Sequence, residues 1–134
     1  MLGFITLKRF PLYRQLDSMD CGPTCLRMVA AYYGKDYSLQ HLRELCGIDR
    51  EGVSLSSIGE AAESLGMRTV AVKLPYLSKQ VEEASLQDAV LPCIVYWNQR
   101  HFVVVTKINK KYAWIADPAN GKVKLSRQDF EKSW

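Results

Sequence analysis

Apolar residues recur at helical spacing in the first half of this chain and crowd into short continuous runs in the second. Residues 1–20 hold no sustained period and read as an extended lead-in. Pro23 suits the first turn of a helix, where its missing N–H costs little. The apolar run from Leu26 to Tyr33 carries that helix to Gly34, a natural C-terminal cap. Ser38 can cap a second helix over 39–46, with Leu42, Leu45 and Cys46 at helical spacing and Gly47 behind it. A third helix is capped at Ser54, puts Ile58, Ala61, Ala62 and Leu65 on one face, and ends at Gly66.

Beyond Gly66 the pattern is that of strands. Residues 67–74 are a strand candidate, and residues 75–90 are ambiguous, with room for one or two short helical turns. The runs 91–97 and 102–108 are apolar and β-rich, and 112–116 and 122–125 are further strands. Turn signals stand at Asn109-Lys110 and Asn120-Gly121. Ser126 opens a last short helix toward Trp134. Helices first and antiparallel strands second predict an α+β domain, with N-terminal helices packed on a C-terminal antiparallel sheet.

Composition narrows the class. The 134 residues are enough for one domain with a core and short for two. At 48% apolar and 24% charged, the chain has the balance of an ordinary globular protein. No apolar stretch approaches the ~18 residues that span a bilayer. The apolar N-terminus has no cationic region before it and is too short for a signal peptide, so a cytoplasmic setting with reduced thiols is expected. The net charge of +4 permits an acidic peptide partner but, scattered as it is, does not argue for nucleic acid.

Cys21 changes the picture. It lies in Gln15-Leu16-Asp17-Ser18-Met19-Asp20-Cys21-Gly22-Pro23-Thr24-Cys25, just ahead of the first helix. Unpaired N–H groups and the positive dipole end there favour the thiolate, the nucleophilic form. His101 heads the run His101-Phe102-Val103-Val104-Val105, and Asp117 ends Ile115-Ala116-Asp117. With a turn centred on Asn109, the hairpin between them sets His101 directly across from Asp117, at the ~4.5–5.5 Å Cβ spacing of cross-strand neighbours. Asp117 would then fix the imidazole's tautomer, His101 would activate the thiol, and the thiolate would attack a peptide carbonyl. The backbone N–H of Cys21 and the side-chain amide of Gln15 are both candidates for the oxyanion.

The other sulfur and imidazole groups read as structural. Cys25 lies one turn into the helix, and Cys46 and Cys93 sit in apolar contexts, all as core residues. His41 reads as a solvated helix residue. Cys21 and Cys25 enclose three residues and no second short-spaced pair exists, which disfavours zinc; neither a metal nor a cofactor is expected.

The stretch Gln15…Asp20-Cys21-Gly22-Pro23-Thr24-Cys25-Leu26-Arg27-Met28 resembles the signature of the bacteriocin-processing cysteine peptidase domain that begins peptidase-containing ABC transporters. The resemblance extends through Gly52-Val53-Ser54-Leu55, the run 91–97, His101-Phe102-Val103-Val104 and Ile115-Ala116-Asp117-Pro118, and covers essentially the whole chain. It implies a papain-like fold, with Cys21 as nucleophile, His101 as base, Asp117 as orienting acid and Gln15 as oxyanion amide. It also implies leader peptides with a Gly-Gly or Gly-Ala motif as substrates, cut during export. Thr24 and Tyr96 depart from the commonest residues, Ala and His, at positions outside this set. We expect a single domain over 1–134, excised from a longer transporter whose transmembrane and ATP-binding domains are its partners at the cytoplasmic face of the membrane. Two rivals stand beside this reading: a non-catalytic substrate-docking domain, and a cysteine acyltransferase on the same fold.

Overall fold

The computed structural model describes residues 9–48, 52–71, 76, 85–98 and 101–134. The first helix, α1 (Cys21–Tyr32), is the central one, with nine of its twelve residues buried. It starts two residues before Pro23, so Cys21 is the first residue of the helix and not just ahead of it. It is followed by α2 (Leu39–Cys46) and α3 (Leu55–Ser64). Both begin on the serine the sequence nominates: Ser38 accepts the His41 N–H and Ser54 the Ser57 N–H. Gly47 ends α2 in the left-handed conformation, φ +63°, which costs glycine little.

Four strands follow: β1 (Cys93–Trp97), β2 (His101–Ile108), β3 (Tyr112–Asp117) and β4 (Gly121–Ser126). The short α4 (Arg127–Ser133) closes the chain. The strands form one antiparallel sheet in the order β1-β2-β3-β4. Among its described residues, the ambiguous segment 75–90 holds one 3-10 turn, Leu86–Asp88; residues 75 and 77–84 of it lie outside the described residues. Residues 67–71 carry no strand: Val70 is 84% exposed there, and no ladder partner is present among the described residues. The rest of that strand candidate lies outside the described residues.

The sheet is covered on both faces, which is why β2 reads as a continuous apolar run. Phe102 and Val104 point to one face and pack with Ala116 against Cys21, Cys25, Met28 and Val29 of α1. Val103 and Val105 point to the other and pack with Ile115, Tyr76 and Phe130 of α4. A third cluster, Leu26, Leu42, Cys46, Ala61 and Ala62, joins the three N-terminal helices. Full burial of Leu26 and Met28 contributes about 1.5–3 kcal/mol each, so α1 is held along its length to β2 and its helical neighbours. The lead-in lies across this layer. Phe10 stacks on Tyr32, and the Arg27 guanidinium sits 3.9 Å from the centre of the Tyr13 ring.

Candidate active site

The hairpin β2–β3 is not in the register its turn signal implies. Asn109 begins the turn instead of centring it: its N–H donates to the Tyr112 carbonyl, and its side-chain oxygen accepts the N–H groups of Lys111 and Tyr112. Val104 therefore pairs with Ala116 and Val105 with Ile115. Between Val105 and Lys107 the ladder shifts by one residue, a bulge at Thr106. His101 and Asp117 are consequently diagonal neighbours, not directly opposed ones. They share a face of the sheet, and their side chains close the remaining distance, with His101 Nε2 lying 2.7 Å from Asp117 Oδ1.

Asp117 does more than meet the imidazole. Oδ1 also accepts the Ala119 N–H at 2.8 Å, and Oδ2 accepts from Asn120 Nδ2 at 3.0 Å. The carboxylate thus begins the β3–β4 turn and faces His101 at once. Burial alone would raise its pKa, but the hydrogen bonds from His101, Ala119 and Asn120 outweigh burial and hold it below the usual carboxylate range.

With Nε2 committed to Asp117, Nδ1 is left for the thiol. Cys21 is hydrogen-bonded to His101, and the backbone N–H groups of Phe102 and Gly22 also point at its sulfur. Burial opposes the thiolate, yet these donors and the imidazole charge prevail, and the Cys21 pKa falls below its ordinary value. His101 moves the other way, to about 9, first because it bonds to Asp117 and then because it bonds to Cys21. An adjacent thiolate and imidazolium explain both directions.

The remaining thiols behave oppositely. Cys25 is fully buried and its pKa is pushed well up; burial raises Cys46 and Cys93 to about 11 each. His41 is exposed on α2, as expected of a solvated helix residue.

Gln15 is brought near this group through the main chain. Its N–H donates to the Pro118 carbonyl at 2.9 Å, which ties the lead-in to the residue after Asp117. Arg14 adds a bond from Nη1 to the Ala119 carbonyl. The Gln15 side chain, however, donates one N–H to the Asp17 carbonyl of its own loop at 3.0 Å, while its Oε1 is buried without a partner. An open groove of about 470 Å³ runs between residues 14–18 and Pro118-Ala119; Gln15 lines it, whereas Cys21 and His101 do not.

Sequence reasoning does not single out Asp20. An aspartate at the head of a helix ordinarily reads as a cap, but this side chain is wholly buried and faces Arg43 of α2, Nε standing 3.0 Å from Oδ1. The visible signal was its place directly before Cys21.

Comparison with known proteins gives a consistent picture. The profile of the peptidase C39 family matches residues 9–134. The chain is 36% identical over 123 residues to the lactococcin-G-processing and transport ATP-binding protein LagD of Lactococcus lactis, covering 92% of this chain and 17% of that protein. It is 33% identical over 125 residues to the colicin V secretion/processing ATP-binding protein CvaB of Escherichia coli, covering 93% and 17%. The chain therefore spans about a sixth of the length of these relatives. Among solved structures, a double glycine motif protease from an AMS/PCAT transporter, in complex with its leader peptide, superposes with a TM-score of 0.82 at 34% identity, covering 94% of this chain and 86% of the other. The peptidase domain of Streptococcus ComA superposes at 0.81 and 30% identity, covering 94% and 93%. Those similarities bear out the α+β, papain-like architecture. Among the described residues no helix is long and apolar enough to cross a membrane.

Proposed function

The chain belongs to the peptidase C39 family, and from that premise we propose that it is a cysteine endopeptidase cutting double-glycine leaders from exported peptides, with Cys21, His101 and Asp117 as its triad. The observation that carries this reading is the row thiol–imidazole–carboxylate, with Nε2 2.7 Å from Asp117 Oδ1 and the thiol bonded to the same ring. Its relatives LagD and CvaB are processing and transport or secretion ATP-binding proteins of which it matches 17%, which supports a role as one domain of a longer exporter; we place that domain at the cytoplasmic face of the membrane. The partners would be that exporter's transmembrane and ATP-binding parts and a leader ending in Gly-Gly or Gly-Ala, in keeping with the leader peptide bound to the similar protease.

The chemistry follows from the arrangement. The Cys21 thiolate adds to the carbonyl carbon of the scissile bond, and the carbonyl oxygen becomes an oxyanion. The Cys21 N–H, at the head of α1 and unclaimed by any helix bond, is one donor to it. The second Gln15 amide N–H is the other donor we assign. His101 gives its proton to the departing amine as the C–N bond breaks, leaving a thioester on Cys21. His101 then takes a proton from water, which attacks the thioester and frees the new carboxylate. Asp117 keeps Nδ1 directed at the sulfur throughout. A cleft too narrow for any Cβ at the two positions before the cut would account for a glycine requirement.

Mass spectrometry tests this directly. The protein is incubated with a synthetic peptide carrying an amphipathic leader and Gly-Gly, beside its Cys21→Ala variant. A single cut after the second glycine, absent in the variant, is expected. Binding without a cut would favour the docking-domain reading, and acyl transfer to an added amine in place of hydrolysis would favour the acyltransferase.

A further inference from the structure

The head of α1 departs from the heads of its neighbours. Both α2 and α3 begin on a serine in extended conformation whose hydroxyl accepts a first-turn N–H. Asp20 could do the same for α1, yet its φ and ψ are −91° and 2°, and its carboxylate caps nothing. The side chain is 0% exposed and turned toward α2. There Arg43 Nε stands 3.0 Å from Oδ1, off the N–H axis, so the contact is an ion pair and neither carboxylate oxygen has an in-line hydrogen bond. On the main chain the Asp20 N–H donates to the Asp17 carbonyl, and its own carbonyl accepts the Thr24 N–H.

A buried carboxylate with a single cationic partner is tolerated only while that partner stays in place. Burial of Cys25, Leu26, Met28 and Ala30 already docks the body of α1. The pair instead acts on the first turn, at the residue covalently joined to Cys21. Rotation about the Asp20 backbone decides where the Cys21 N–H points and how its sulfur meets His101.

We propose that the Asp20–Arg43 ion pair is a positioning device for Cys21: α2 holds the first turn of α1 in the rotation that aims the thiol at His101 and the Cys21 N–H at the carbonyl under attack. This rests on Cys21 being the nucleophile. Neither residue touches substrate; both act through the geometry of their neighbour.

The test compares Arg43→Met, Arg43→Lys and the isosteric Asp20→Asn with wild type. Each is assayed for cleavage of a Gly-Gly peptide, for alkylation of Cys21 by iodoacetamide, and for thermal unfolding. Misaimed by a fraction of an ångström, the reaction should lose roughly tenfold or more in kcat with KM little changed, in both Arg43→Met and Asp20→Asn. Arg43→Lys, which keeps the charge, should recover most of that loss. Wild-type kcat in folded Arg43→Met or in Asp20→Asn would overturn the proposal, as would a loss confined to KM. Should Arg43→Met not fold, Asp20→Asn decides alone. Cys21→Ala runs alongside: cleavage by it removes the nucleophile reading itself, whereas its inactivity beside fully active pair variants removes only the role of the pair.

Discussion

His101 and Asp117 meet diagonally across β2 and β3, and the bulge at Thr106 is what puts them on one face. Near the turn, Ile108 pairs with Ala113 and Lys107 with Trp114; past Thr106 the pairing steps by one, to Val105 with Ile115. Side chains alternate between faces with period two, so a single-residue step moves every later pair to the opposite relation. Continued without the bulge, the turn-side register would send His101 and Asp117 to opposite faces. With it, Nε2 and Oδ1 come within 2.7 Å.

Asp117→Asn keeps the turn hydrogen bond from Ala119 within reach but removes the charge that orients the imidazole. An amide facing Nε2 can present its N–H₂ and favour the wrong tautomer. We expect kcat to fall by roughly a hundredfold or more, with the fold retained. Steady-state cleavage of a Gly-Gly peptide measures it, and an unchanged kcat would mean that the orienting group lies elsewhere.

Both activity and stability should respond to pH through the same groups. With the proposed triad, cleavage uses the thiolate and the imidazolium together, so kcat/KM should rise with ionisation of Cys21, below the ordinary thiol range, and decline as His101 loses its proton at about 9. For stability, the His101 pKa is raised on folding, so its contribution is complete below the unfolded value of about 6.5 and is lost as pH rises through about 9. Asp117 has a lowered pKa, so its contribution is present above the unfolded value of about 3.9 and is lost as pH falls through the folded one. Cys21, lowered on folding, gains stability over the same range as it ionises and offsets this loss in wild type, so the comparison is made without the thiol: the melting temperature of Cys21→Ala should decline from pH 6.5 toward 9 more steeply than that of the Cys21→Ala/His101→Gln double variant. Parallel slopes would show that the raised histidine is not linked to folding.

How much of this was legible depended on whether the signal was local. Ser38 with Gly47, and Ser54 with Gly66, bracket α2 and α3 correctly because caps are written into adjacent residues. The head of α1 lies at Cys21, two residues ahead of the Pro23 that marks the helix in the sequence, and the cap signal is weak there because the Asp20 side chain makes no cap hydrogen bond. Cys21, His101 and Asp117 could be nominated from residue type and order, but not their register. Thr106 lies inside a β-rich run where nothing in the sequence distinguishes a bulged residue from a paired one. Residues 67–71 failed as a strand because alternation cannot tell whether a sheet edge is there to receive them. The Gln15 tether to Pro118 joins positions about a hundred residues apart and leaves no local trace.

Among the four thiols only Cys21 should react quickly. Cys25, Cys46 and Cys93 are all raised by burial, the last two to about 11, while Cys21 alone is lowered. Brief treatment with substoichiometric iodoacetamide at pH 7 should give one adduct, mapped to Cys21 by peptide mass spectrometry. His101→Ala removes a donor and a neighbouring positive charge, and should slow that alkylation roughly tenfold or more. Comparable labelling of Cys93 would contradict the assignment.

A small change at Gly121 should also reach the site. Its φ is +89°, a conformation costly for any residue with a Cβ, and the Cβ of an alanine would lie 2.8 Å from Arg14 Nη2. That guanidinium holds the lead-in to the Ala119 carbonyl, two residues past Asp117. Gly121→Ala must both strain the backbone and displace Arg14. A loss of about 1–2 kcal/mol is expected from the backbone strain alone, read as a lowered midpoint in urea. Because the Arg14 contact and the Gln15 N–H to Pro118 bond anchor the same segment, the variant should also lose kcat through Gln15, whereas Arg14→Ala should lose kcat with less loss of stability. If Gly121→Ala lowers the midpoint but Arg14→Ala cleaves at the wild-type rate, the strap fixes the turn and has no part in placing the oxyanion amide.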